Sequence, residues 1–217
     1  FRSLPIGRRR RVTPTENEEE ARLSMNAGFA EPDEELWKRY RESHDQNAFG
    51  HLIKRYRESV LAFLIRMTGG EEDAFDLLQE SLRRFAQHYD PSRSSAKTFL
   101  FCIASNLAKS HYRSSMKKRY EVSFGDLEEA GTQPAAASDY HRDEMRLALF
   151  QNALNCLDFI DRQAIELKDI ESMTYKTAAD IAGCSEKRFE KRLAQARKRL
   201  RSLLTENKEY ESLLPYD

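Results

Sequence analysis

Residues 174–204 decide the fold. They run Thr174-Tyr-Lys-Thr-Ala-Ala-Asp-Ile-Ala-Gly-Cys-Ser185, then Glu-Lys-Arg-Phe-Glu-Lys-Arg-Leu-Ala-Gln-Ala-Arg-Lys-Arg-Leu-Arg-Ser-Leu-Leu204. Thr174 to Ala182 suits a short helix, Gly183-Cys184 a turn, and Ser185 an N-cap for the helix that follows. In that second helix Phe189, Leu193, Ala196, Leu200 and Leu203 recur at three- and four-residue steps, which makes one apolar stripe. The rest of the helix is cationic: eight basic residues and one acid lie between Lys187 and Arg201. A short helix, a glycine turn and a basic second helix is the helix-turn-helix layout. Its second helix enters the major groove with its first residues toward the base edges. Here those residues are Glu186, Lys187, Arg188, Lys191 and Arg192. Arg and Lys donate to guanine edges or to phosphates, and spacing leaves both open. The bland alternative is a solvated basic face on an ordinary helical hairpin. The density of cations behind a glycine turn and a cap favours DNA.

Working back toward the N-terminus, Ala164, Ile165 and Leu167 mark a short helix. Met145, Leu149, Leu154 and Leu157 mark a longer one from about Arg142. Gly125, Gly131, Pro134 and Ala135 to Ala137 break the periodicity, and Glu121 to His141 holds five acids and no Lys or Arg. Residues 116–141 therefore read as a flexible acidic linker. Before it, helical pattern begins at Pro32, with Asp33, Glu34 and Glu35 favourable in a first turn. One long stripe runs through Phe49, Leu52, Ile53, Tyr56, Val60, Phe63, Leu64 and Met67 and ends at Gly69-Gly70. A second carries Ala74, Leu77, Leu78, Leu82 and Phe85. A third, after a Pro91 to Ser95 loop, carries Phe99, Leu100, Ile103 and Leu107. No segment alternates as a strand does. The expectation is an all-α chain of two small helical domains, a bundle over 31–115 and a helix-turn-helix domain over 142–205. Residues 1–30, with an Arg run and an acidic run, read as a flexible extension, and 206–217 as a tail.

The 217 residues carry 36 Lys plus Arg against 36 Asp plus Glu. Neutrality would argue against nucleic acid were the charge evenly spread, but it is sorted. Lys109 to Arg119 holds five basic residues and no acid, which gives a second basic surface apart from the acidic linker. No run approaches the roughly 18 apolar residues of a membrane helix, so no membrane insertion is expected. Cys102, Cys156 and Cys184 are far apart and odd in number, as free thiols in a reducing cytoplasm would be. The histidines show no metal spacing with them.

Two further clusters stand out. Phe99, Phe101, Asn106, Lys109, His111, Tyr112 and Arg113 mix rings with cations, a composition that suits unpaired DNA because bases stack on rings while cations hold the backbone. Taken alone this signal is weak: Phe99 also falls on the core stripe, and by itself it is better explained by packing. In Asp73-Ala-Phe-Asp-Leu-Leu-Gln-Glu-Ser-Leu-Arg-Arg-Phe85, the residues Asp76, Gln79, Glu80 and Arg83 share one helix face. Alone they are a solvated face with intrahelical pairs. No nucleophile, phosphate loop or metal set stands near these carboxylates, so no catalysis, cofactor or metal is expected.

The order of these motifs resembles a known family. Asp-x-x-Asp-x-x-Gln-Glu over 73–80 precedes Thr98-Phe-Leu-Phe-Cys-Ile-Ala-Ser-Asn106-x-x-Lys109. Leu157 to Ile170, Tyr175 to Gly183 and Arg192-Leu-x-x-Ala-Arg-Lys-Arg-Leu200 then follow. The chain looks like an extracytoplasmic-function sigma factor, a specificity subunit of bacterial RNA polymerase. The resemblance covers about 33–115 and 142–204. It implies that Asp76, Gln79, Glu80 and Arg83 dock on the polymerase core. It implies that Ser92, Arg93, Ser94, Ser95, Lys97, Phe99, Asn106, Lys109 and Arg113 recognise and melt the −10 promoter element. It implies that Lys187, Arg188, Lys191 and Arg192 read the −35 element, and that an anti-sigma protein holds the chain inactive. The chain departs from the family at Phe99, where Trp is common, and at Asp158, where Pro is frequent. Glu186 to Lys191 also departs from the usual small residues and Val. A helix-turn-helix regulator acting without polymerase, or a sigma-like decoy for an anti-sigma protein, are the rival readings.

Overall fold

A computed structural model describes residues 31–122 and 139–206, with side chains over 31–116 and 145–206. The 1–30 extension, the middle of the acidic linker and the tail lie outside the described residues. The described residues are helical throughout apart from caps and turns, with no strand among them. In chain order the helices are α1 (Asp33–Ser43), α2 (Gln46–Thr68), α3 (Glu71–His88), α4 (Ala96–Val122), α5 (Asp139–Asn155), α6 (Phe159–Ile165), α7 (Tyr175–Ala182) and α8 (Glu186–Glu206). A π-helical turn, Glu166–Ile170, follows α6 directly. Helix α4 thus runs into the stretch read from the sequence as linker.

The chain forms two compact units, one up to Arg55 and one from Tyr56 on. In the first, α1 ends at His44, whose φ of 54° is left-handed. Asp45 then caps α2: its Oδ1 accepts from the backbone N–H of Asn47 at 3.0 Å and of Ala48 at 3.2 Å. The sequence reading passed over this break. Its signal was a short polar stretch, Ser43-His44-Asp45, ending in a good N-cap. Leu36 and Trp37 are buried, Tyr40 stacks on Phe49 with ring centroids 4.5 Å apart, and Arg55 pairs with Asp33.

In the second unit Val60, Phe63, Leu64 and Met67 of α2, Ala74, Leu78 and Phe85 of α3, and Leu100, Phe101 and Ala104 of α4 are buried. Gly69 separates α2 from α3 with a φ of 81°, a conformation glycine adopts without the penalty a Cβ brings. Farther along, Leu154, Leu157, Phe159, Ile165, Leu167, Ile181, Phe189 and Leu193 make a second apolar cluster. Asp158 caps α6, its side chain accepting from the Asp161 N–H at 2.8 Å. The departure at Asp158 from the pattern of the resembled family thus supplies this helix with a hydrogen-bonding N-cap.

Polar groups join the two parts of this unit. Glu166 is fully buried, and its two oxygens accept from Arg66 Nε at 2.9 and 2.7 Å. Burial pushes its carboxyl up from the usual 4.5 to about 7, against the pull of Arg66. An unfolded chain releases this proton at the lower pH and the folded chain at the higher. The folded state therefore holds the extra proton in between, and the group's contribution to stability falls as pH rises through that window. Urea unfolding at a series of pH values should show wild type losing up to about 3 kcal/mol relative to Glu166→Gln between pH 4.5 and 7. A flat difference would mean that Arg66 keeps Glu166 charged throughout.

Candidate nucleic-acid interface

The helix-turn-helix is built as its residues require. Thr174 caps α7, its Oγ accepting from the Thr177 N–H at 3.2 Å. Gly183 takes a left-handed φ of 69°, and the Cys184 N–H closes the turn on the Ala179 carbonyl at 3.0 Å. Helix α8 buries Phe189, Leu193, Ala196 and Leu200. Phe189, a departure from the family pattern, is 2% exposed and packs as core.

The cations of α8 divide into two sets. Arg192 reaches Asp161 at 2.5 Å and Asp158 at 3.2 Å. Arg199 pairs with Asp161, and with Asp158 at 3.3 Å. Arg197 holds Asp169 at 2.5 Å. Asp161 is fully buried, and these pairs fasten α8 to α6 and to the π-helical turn that follows it. Lys187, Arg188 and Lys191, on the first turns, are exposed and have no acidic partner among the described residues. The sequence placed Arg192 with the DNA-facing residues. The structure gives it acidic partners as well, which composition alone does not disclose because they are distant in the chain.

The loop before α4 is shaped by its own polar groups. Asp90 Oδ1 accepts from the Ser92 N–H at 3.0 Å and the Ser92 hydroxyl at 2.8 Å, which lowers its pKa. Ser95 Oγ accepts from the Thr98 N–H at 3.2 Å and so caps α4. Arg93 is exposed, and Ser94 is half-exposed. Phe99 lies in an aromatic cluster, 6.1 Å from Phe85 and 5.7 Å from Tyr89 by ring centroids, so packing is its visible role. Asn106 and Arg113 are exposed on α4. Lys97 sits 3.6 Å from Glu171. Lys109 lines a cleft of about 580 Å³ whose other walls include Gln163, Gly183, Arg188, Lys191 and Arg192.

On α3, Phe75, Asp76, Gln79 and Arg83 are exposed. Glu80 is drawn onto its own helix: its oxygens accept from Arg83 Nε at 2.7 Å and Arg84 Nε at 2.6 Å. Those arginines, Arg83 foremost, hold its carboxyl down at about 2. Asp76 and Gln79 are left as the open polar groups of the face, beside a phenyl ring 40% exposed. Sequence reasoning passed over Phe75, whose exposure follows from its lying off the Ala74, Leu78, Phe85 stripe.

Residues 52–118 match the family model of Sigma-70 region 2, and residues 147–200 that of Sigma-70, region 4. The ECF RNA polymerase sigma factor EcfG of Rhodopseudomonas palustris is 34% identical over 151 residues, covering 67% of this chain and 79% of the relative. The ECF RNA polymerase sigma factor SigM of Bacillus subtilis is 32% identical over 154 residues, 70% of this chain and 92% of the relative. The structure of CnrH in complex with the cytosolic domain of CnrY aligns with a TM-score of 0.60 at 25% identity, covering 81% of this chain and 98% of that one. The sigma factor RpoE in complex with the anti-sigma factor NepR from Bartonella quintana aligns at 0.58 and 27% identity, covering 72% and 96%.

Proposed function

The chain belongs to the extracytoplasmic-function (ECF) sigma factors of RNA polymerase, and from that premise we propose how its surfaces divide the work. It directs polymerase to promoters and is not itself an enzyme. The observation that carries this is the occurrence of both sigma-70 regions, in order, in one chain that spans most of its relatives' length.

The region 2 domain occupies 31–115 and the region 4 domain 142–205. Asp76 and Gln79 on α3 dock on the polymerase core, with Phe75 as an apolar anchor among them and Glu80 and Arg83 bracing each other. Exposure of the three docking groups on one helix face supports this. Arg93, Ser94, Asn106, Lys109 and Arg113 form the surface for unpaired −10 bases. Ser92 and Ser95 shape the loop, Phe99 packs beneath it, and Lys97 flanks it. Lys187, Arg188 and Lys191 read the −35 element. Arg192 positions α8 and contributes to phosphate once its acids are solvated. Two relatives of known structure are complexes, CnrH with the cytosolic domain of CnrY and the sigma factor RpoE with the anti-sigma factor NepR, and the second supports an anti-sigma partner here. No helix among the described residues is long and apolar enough to cross a membrane, and action on polymerase is consistent with the cytoplasm.

The docking assignment is tested by titrating labelled protein with core polymerase. Phe75→Ala together with Gln79→Ala should weaken core binding at least tenfold while helical content and thermal unfolding stay unchanged. Unaltered core affinity would remove α3 from the interface.

A further inference from the structure

Four cations converge on one concavity. The cleft bordered by α4, α6 and α8 measures about 580 Å³, a volume typical of a small-molecule pocket. Lys109 lines it from α4, and Arg188, Lys191 and Arg192 line it from α8, with no carboxylate among the lining residues. Arg192 is held by Asp158 and Asp161, which lie outside the lining. Lys109, Arg188 and Lys191 have no acidic partner among the described residues. A cleft lined by one sign of charge, with low-dielectric walls, focuses the field and concentrates counter-ions. The four cations repel one another across it, and a bound polyanion relieves that repulsion.

The rest of the lining suits more than an inorganic anion. Ile160 of α6 is 47% exposed and offers an apolar contact to the face of a base. Gln163 is buried and donates to Ser105 Oγ of α4, which leaves its carbonyl oxygen as an acceptor. Gln195 of α8 is exposed and carries both donors and an acceptor. Side-chain amides pair with base edges and sugar hydroxyls, while the arginine fork matches phosphate oxygens. Inorganic phosphate would engage the cations alone and leave Ile160 and both amides idle.

We propose that this cleft is a binding site for a nucleoside polyphosphate, with its phosphates on Lys109, Arg188, Lys191 and Arg192, its base against Ile160 and Gln195 at the base edge. Lys109, Arg188 and Lys191 are also assigned above to promoter DNA, so nucleotide and DNA compete for them. The site itself does not depend on that assignment.

The test uses the free full-length chain and no DNA, so its failure leaves the promoter assignments untouched. Isothermal titration calorimetry with ATP, GTP and inorganic tripolyphosphate reads affinity and stoichiometry. ATP or GTP should bind once per chain and several-fold more tightly than tripolyphosphate. Lys109→Ala and Arg188→Ala should each weaken nucleotide binding by about tenfold or more, the effect of removing a charge-assisted hydrogen bond. Gln195→Ala should bring the nucleotide down to the affinity of tripolyphosphate. Arg201→Ala, which removes an exposed cation of α8 outside the cleft, should leave binding unchanged. Cysteine alkylation locates the ligand with no substitution at all. Cys184 lines the cleft, whereas Cys156 is exposed outside it. Saturating nucleotide should slow the reaction of Cys184 with iodoacetamide several-fold and leave that of Cys156 unchanged, and this footprint decides the matter if a variant loses its helical signal. No binding, several nucleotides per chain, or an equal loss in Arg201→Ala overturns the site, since diffuse surface charge behaves in that way. Tripolyphosphate binding as tightly as ATP and GTP overturns the assignment to a nucleoside. Protection of Cys156 in place of Cys184 puts the anion in the neighbouring groove of Lys198 and Arg199 and overturns the proposal as well.

Discussion

Alanine at Arg162 should lower the unfolding free energy by about 3–5 kcal/mol, a cost expected when a buried charged hydrogen-bond donor is removed from partners that stay buried. Arg162 is 8% exposed. Its guanidinium donates to the carbonyls of Leu154 at 2.9 Å, Asn155 at 2.7 Å and Leu157 at 3.2 Å. It also donates to Arg66 at 3.1 Å and reaches Met67 at 3.5 Å. All but that of Leu157, which lies in the turn before α6, are at the C-terminal ends of α5 and α2, where a cation meets the negative end of each helix. One side chain therefore caps two helices, and its removal strands several acceptors at once. Arg162→Lys should recover only part of the loss, since an ammonium cannot fork toward both ends. Chemical denaturation of the three proteins at one pH decides it. A change below 1 kcal/mol for Arg162→Ala would mean that water replaces the guanidinium.

The second large effect concerns α8. Replacing Lys187, Arg188 and Lys191 by Ala should reduce promoter-specific transcription at least a hundredfold while core binding is retained. Good base contacts are worth about 1–3 kcal/mol each. If all three residues instead hold phosphate, affinity falls uniformly across sequences, and the logarithmic salt slope drops by about 1 per cation. If they read bases, discrimination against altered −35 sequences is lost while the salt slope stays nearer that of wild type. Arg192→Ala should behave differently from these three. Its ties to Asp158 and Asp161 mean that the domain itself loses stability, and Arg197→Ala, which breaks the Asp169 pair, provides the matched control for a purely structural cation. The triple variant transcribing normally would remove α8 from −35 recognition.

Much of this was legible in the chain. The period of the apolar stripes gave every helix from α2 to α8 its approximate place, and Gly69 and Gly183 gave two of the turns. Motif order pointed to the docking face and the two DNA surfaces proposed above. What stayed hidden depends on distant partners. Nothing near Arg192 or Arg199 in sequence reveals that Asp158 and Asp161 hold them, since those acids precede them by more than thirty residues. Nothing local sets Glu166 and Arg162 apart from the other charges of a chain one-third charged, yet the fold buries both. The His44 break was missed because the apolar stripe beyond it dominated the reading of a short polar interruption. Net neutrality also proved uninformative, because several cations of α8 pair with Asp158, Asp161 and Asp169 while Lys187, Arg188 and Lys191 on its first turns have no acidic partner among the described residues.

The central claim is that this chain confers promoter choice on polymerase through two separate domains. Run-off transcription with purified core polymerase on templates recovered by promoter selection tests it most directly. The account predicts a discrete transcript that requires both the protein and core. It also predicts that the transcript disappears when either the −10 or the −35 segment of the template is scrambled. Tight, specific duplex binding by the protein alone, with no transcript on adding core, would contradict it.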